Sequence, residues 1–154
     1  MTEAEQIELA GRLFVEGWSG GTPEAALPFL TDDIVMRDIL GHPDAMLGHS
    51  AIVDFVKPVA AVLKVLPEEY FSNEQGLALT WMAYIEIRDE SHGPENKGRW
   101  LCGEGMSKLE FRGEKVSLEI DYWKGPQGIC EDWREHFERR QRMTPTERGA
   151  IPGS

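Results

Sequence analysis

The chain has 154 residues, enough for one domain with a core of useful size. Hydrophobic residues at 41% and charged residues at 28% are ordinary for a folded soluble protein, and a net charge of -11 disfavours nucleic acid and anionic membranes as partners, since both attract basic surfaces. Cys102 and Cys130 belong to no Cys-x-x-Cys or Cys/His cluster and are expected as unpaired thiols.

The acidic start Met1-Thr2-Glu3-Ala4-Glu5 lacks the basic region and apolar run of a secretion signal, and no stretch reaches membrane-spanning length, so the expected location is the cytoplasm. Thr2-x-x-Glu5 reads as a capping box opening a helix, with Ile7, Ala10, Leu13, Phe14 and Trp18 recurring on one face. Gly20-Gly21 ends it. Thr22 and Pro23 then predict a short second helix through Leu27. Thr31-Asp32-Asp33 reads as a turn, Ile34 to Asp38 as a strand and Gly41 to Gly48 as a loop. A third helix carries Ile52, Phe55, Val56, Val59 and Leu63 on one stripe, and Pro58 should bend or end it.

From Glu68 the hydrophobic period changes to two, which predicts strands at Tyr70–Ser72, Leu77–Ile87, Arg99–Phe111 and Val116–Trp123. Gly103 and Gly105 suit a bulge in the longest of them, and Arg112-Gly113-Glu114-Lys115 a tight hairpin turn. A charged helix is expected around Glu131 to Arg140, followed by a frayed end containing Pro and Gly. Helices followed by hairpin-linked strands predict an α+β domain over residues 1–126, with 127–154 as a helical extension and flexible tail. Both alternating sets of Leu77–Ile87 carry large hydrophobes, so the outer sheet face is expected to pair with a second copy in a homodimer.

Two acids stand in apolar strand patterns. Asp38 shares a face with Ile34 and Met36, and Asp121 shares one with Ser117, Glu119 and Trp123. A core-facing carboxylate must be paired, protonated or functional, because desolvating it alone costs several kcal/mol or more. Either both line one cavity as an acid–base pair, or each is a solvated strand-end residue. His42, in the following loop, is a candidate proton shuttle. His42, Asp44 and His49 match no metal-ligand spacing, and neither a metal nor a cofactor is expected. His92 and His136 read as solvated. Phe14, Trp18, Phe55, Trp81, Tyr84, Trp100 and Trp123 read as core residues that can also wall a pocket for a flat apolar ligand, with Glu104 and Glu119 as further polar contacts.

The order of elements resembles the NTF2-like superfamily, in particular its SnoaL-like and ketosteroid-isomerase-like enzymes. The matching stretches are Trp18-Ser19-Gly20-Gly21, Phe29 to Val35, Gly48 to Phe55, and Glu110 to Val116 leading into Asp121-Tyr122-Trp123; together they span roughly residues 5 to 125. The resemblance implies a curved antiparallel sheet wrapped around the N-terminal helices as a cone. It places Asp38 where ketosteroid isomerases carry their general base, and Asp121 where SnoaL-like cyclases and limonene epoxide hydrolases carry a last-strand acid/base. The isomerases' two oxyanion-hole positions fall near Leu13 or Phe14 and at Ser107, and the epoxide hydrolases' Arg-x-Asp is missing around Thr80-Trp81-Met82. The expected function is therefore a cofactor-independent lyase or isomerase, performing dehydration, aldol or retro-aldol cleavage or cyclisation on a hydrophobic aromatic or polycyclic small molecule. The alternatives are a non-catalytic ligand-binding or dimeric interaction domain, or an epoxide hydrolase.

Overall fold

The computed structural model describes residues 1–150. The first helix, α1 (Glu3–Arg12), starts at the expected capping box, with the Thr2 and Glu5 side chains each bonded to the other's backbone N–H. It runs on as a π-helical turn, Leu13–Trp18, which turns Leu13, Phe14 and Trp18 into the core. Residues 23–26 form turns rather than the expected second helix, and a 3-10 turn at Leu27–Phe29 leads into the sheet.

The strands are β1 (Leu30–Asp38), β2 (His42–Leu47), β3 (Leu63–Asn73), β4 (Gly76–Glu86), β5 (Trp100–Arg112), β6 (Lys115–Tyr122) and β7 (Gly128–Cys130). They form one open, curved sheet in the order β2-β1-β6-β5-β4-β3, with β7 added to β5. Every pair is antiparallel except β1 with β6. Helix α2 (Gly48–Val56) ends before Pro58, as the proline requires.

Three expectations are corrected at the sheet edges. Thr31, Asp32 and Asp33 belong to β1, where the pairing with β6 slips between Leu30 and Val35. The loop after Asp38 is strand β2, and β3 begins at Leu63, well before Tyr70. Pro43 and Pro67 resemble strand breakers, yet both lie on edge strands, where a missing N–H costs no ladder bond; the β3–β4 register shifts between Pro67 and Glu69.

The hairpin at residues 112–115 is as expected, with Arg112 opposite Lys115 and Gly113 at φ +62°. No bulge occurs at Gly103 or Gly105, because β4 and β5 pair in continuous register through both. These glycines make room instead. A Cβ on Gly105 would stand 2.2 Å from the Trp81 ring, and one on Gly103 would stand 2.8 Å from the Gly125 carbonyl.

The main core lies between the sheet's inner face and α1, the π-helical turn and α2, around Leu13, Phe14, Leu30, Ile34, Ile52, Leu79 and Leu109. On the outer face, Met82, Tyr84 and Cys102 form a second cluster. It is covered by the chain's own α3 (Trp133–Gln141), whose Trp133 and Phe137 pack on it. This face therefore supplies no argument for a second copy there.

His136, expected to be solvated, is 4% exposed and lies 2.8 Å from the Tyr84 hydroxyl through Nδ1. Arg140 makes two bonds to Glu68, at 2.8 and 3.0 Å, with both side chains buried. A last helix, α4 (Pro145–Ala150), is held by Arg148 against Glu69 at 3.1 Å. The expected frayed end at Ile151–Ser154 lies outside the described residues. Cys102 and Cys130 are free thiols, and no described helix is long and apolar enough to cross a membrane.

Candidate functional site

Strand register builds the site. Asp38 at the end of β1 stands beside Asp121 of β6, which stands opposite Ser107 of β5, so one row across the sheet carries all three. One step down the same face, Met36 stands beside Glu119. Alternation turns these side chains inward, where they meet an apolar cavity of about 230 Å3 between sheet and helices. Its walls are Phe14 and Trp18 from the π-helical turn, Phe55 and Val56 from α2, and Trp81 from β4. Leu40, Val59, Leu63, Ile85 and Trp123 complete them and are at least partly exposed. Asp38, Glu119 and Asp121 all line this cavity, and among the described residues no lysine, arginine or histidine does.

Each carboxylate is held by an indole. Trp123 Nε1 donates to both oxygens of Asp38 at 3.2 and 3.3 Å, and the Leu40 and Gly41 backbone N–H groups donate to its Oδ1 at 3.0 and 2.8 Å. Trp18 Nε1 donates to Glu119 Oε2 at 3.2 Å. Trp81 Nε1 donates to Ser107 Oγ at 2.8 Å, and that hydroxyl donates to Asp121 Oδ1 at 2.5 Å.

The last chain fixes a proton. An indole N–H can only donate, so Ser107 accepts from Trp81 and its own hydrogen points to Asp121, which must accept. Glu119 lies beside it on the same face of β6, and each carboxyl shifts the other's titration. Burial, first, and then the adjacent Asp121 charge push the Glu119 carboxyl well above the usual range, against the Trp18 N–H. Burial likewise raises Asp121, to about 6, against the hydrogen bond it accepts from Ser107. Two interacting carboxyls titrate as a pair rather than singly.

A family model described as the SnoaL-like domain matches residues 12–119, which include α2 and β1 to β5 and run into β6 as far as Glu119. The chain belongs to the SnoaL-like family. Among curated proteins, none matches it. Several solved structures share the fold of this SnoaL-like domain. TerC co-crystallised with polyporic acid superimposes with a TM-score of 0.61 at 16% identity, covering 77% of this chain and 91% of TerC. A Delta 5-3-ketosteroid isomerase from Mycobacterium sp. gives 0.60 at 17% identity, covering 77% and 92%. A computationally designed 17-OHP binder gives 0.61 at 16% identity, covering 79% and 92%. The fold is that of the NTF2-like superfamily.

In this SnoaL-like domain the structure brings together Asp38, Asp121, Glu119, Phe14, Trp18, Phe55, Trp81 and Trp123 around the cavity. It separates the others. His42 is exposed on β2, with its ring Nδ1 2.8 Å from the Asp44 carbonyl and its ring edge-on to Phe55 outside the cavity. Tyr84, Trp100 and Glu104 are on the outer sheet face under α3, because β4 and β5 alternate and these positions are out of phase with Trp81 and Ser107. The sequence reading gave Glu119 only a binding role, although its place two residues before Asp121 puts it on the same face. Ser107 enters the sequence reading only as an oxyanion-hole position of the isomerases; nothing local marks its bond to Asp121.

Proposed function

We propose that the chain is a cofactor-independent acid–base enzyme of the lyase or isomerase kind acting on a hydrophobic aromatic small molecule. One observation carries this reading: three carboxyl groups converge on a single apolar, tryptophan-walled cavity, where burial pushes Glu119 and Asp121 above the usual carboxylate range. Asp38, which only accepts hydrogen bonds, is the general base that takes a proton from carbon or hydroxyl. The Glu119–Asp121 pair is the acid that returns one or protonates a leaving group. Dehydration, aldol or retro-aldol cleavage and ring closure all use this division of labour, and release of a small aldehyde from an aromatic diol is one concrete form. The epoxide-hydrolase reading lacks support, since among the described residues no arginine lines the cavity.

The test is a screen of aromatic diols, hydroxyketones, epoxides and polyketides, with mass spectrometry reporting product mass. Asp38→Asn or Asp121→Asn should lower turnover of any hit about 10²-fold or more with the fold retained by circular dichroism. Unchanged turnover in both variants overturns the acid–base pair. A tightly held molecule recovered unaltered supports a ligand-binding domain instead.

A further inference from the structure

The cavity's hydrogen-bond inventory restricts what it accepts. Its lining carries three side-chain N–H donors, those of Trp18, Trp81 and Trp123, and each is committed: to Glu119, to Ser107 and to Asp38. The Ser107 hydroxyl is committed to Asp121. What remain for a ligand are the carboxyl groups of Asp38, Glu119 and Asp121, and in their charged forms these only accept, so the polar part of the ligand that meets them must be a donor. An oxyanion would meet carboxylates and no free side-chain donor. Among the described residues no cationic side chain lines the cavity to balance the acids, and the chain as a whole carries -11. Five aromatic rings, Trp18, Trp81, Trp123, Phe14 and Phe55, line the cavity, and an aromatic face attracts a cation and repels an anion.

We infer that the cavity selects a protonated aromatic amine, its ring against the indoles and its ammonium group between Asp38 and Asp121. The ammonium group supplies the positive charge the acid cluster lacks and donates to both carboxylates. This deepens the proposed activity and rests on the same cavity being the ligand site, but not on turnover. Binding is also linked to the titration of these acids. Among the described residues, the titratable groups facing Asp121 are Glu119 of its own strand and Asp38 of β1, with Ser107 facing it from β5. A bound cation favours the charged forms of these acids, so affinity should rise with pH while the alkylammonium stays protonated.

The experiment is calorimetric titration of the full chain with three probes of one shape: 2-naphthylmethylamine, 2-naphthalenemethanol and 2-naphthoate. The amine should bind at least about tenfold more tightly than the alcohol at pH 7.5, equivalent to about 1.4 kcal/mol, and the carboxylate should give no measurable heat. The amine's advantage should shrink at pH 5. In Asp121→Asn the amine should fall towards the alcohol, whose retained binding shows that the cavity is still formed. Equal affinity for amine and alcohol, or binding of the carboxylate, overturns the inference and leaves the catalytic reading to be judged on turnover. Failure of all three to bind removes the cavity as an aromatic-ligand site and the inference with it.

Discussion

At Gly105 the absence of a side chain positions an acid on the neighbouring strand. The Trp81 ring lies where a Cβ would be, and from there its N–H reaches Ser107, which orients Asp121. Gly105→Ala should displace the indole and destabilise the fold by about 1–3 kcal/mol, as overpacking does, measured by urea denaturation. Ser107→Ala removes a hydrogen bond that lowers the Asp121 titration point, so that point should move upward from about 6, read by carboxyl NMR or by the pH profile of turnover. Glu119 bears on stability. Glu119 and Asp121 both titrate higher folded than unfolded, so the folded state binds more protons from the unfolded carboxylate range of about 4 upward. Stability from this pair is present below that window and falls as pH rises through it, past about 6 for Asp121. Glu119→Gln should therefore flatten the decline between pH 5 and pH 8 and raise the melting temperature at pH 8. A gain on the order of 1 kcal/mol would appear as about 2–4 °C.

Among the elements, α3 departs most from its sequence reading. Trp133, Arg134, Glu135, His136, Phe137, Glu138, Arg139 and Arg140 look like a solvated charged helix, yet His136 and Arg140 are each 4% exposed. Arg140 is buried because Glu68 of β3 meets it with a two-bond pair, a partner remote in sequence. Arg140→Ala would strand the Glu68 charge and should cost about 3–5 kcal/mol. Replacing both residues by Met should cost much less, which denaturant titration of the two variants can compare. Long alternating strands were legible because β4, β5 and β6 pair with neighbours in sequence. Strand β2 and the first half of β3 were not, since their prolines are tolerable only on an edge, and which strand is an edge is settled by the sheet order.

Across the whole molecule the sheet is clad on both faces, by α1, the π-helical turn and α2 within and by α3 without. The expected homodimer drew on an apolar outer face that α3 occupies. A chain ending at residue 126 would uncover Met82, Tyr84 and Cys102 and should self-associate, visible by light scattering, more than the full chain, in which Trp133 and Phe137 of α3 cover them.

Composition, period-two alternation and local caps determined the class of fold, the inner strands and the first helix, because each depends on neighbours in the chain. The inward placement of Asp38 and Asp121, the hydrogen-bond partners of each acid, the grouping of Glu119 with them, and the exclusion of His42, Tyr84, Trp100 and Glu104 from the cavity were decided by tertiary structure alone. They depend on register between β1, β6 and β5 and on which sheet face α3 covers. These relations join residues far apart in sequence, so no local pattern encodes them.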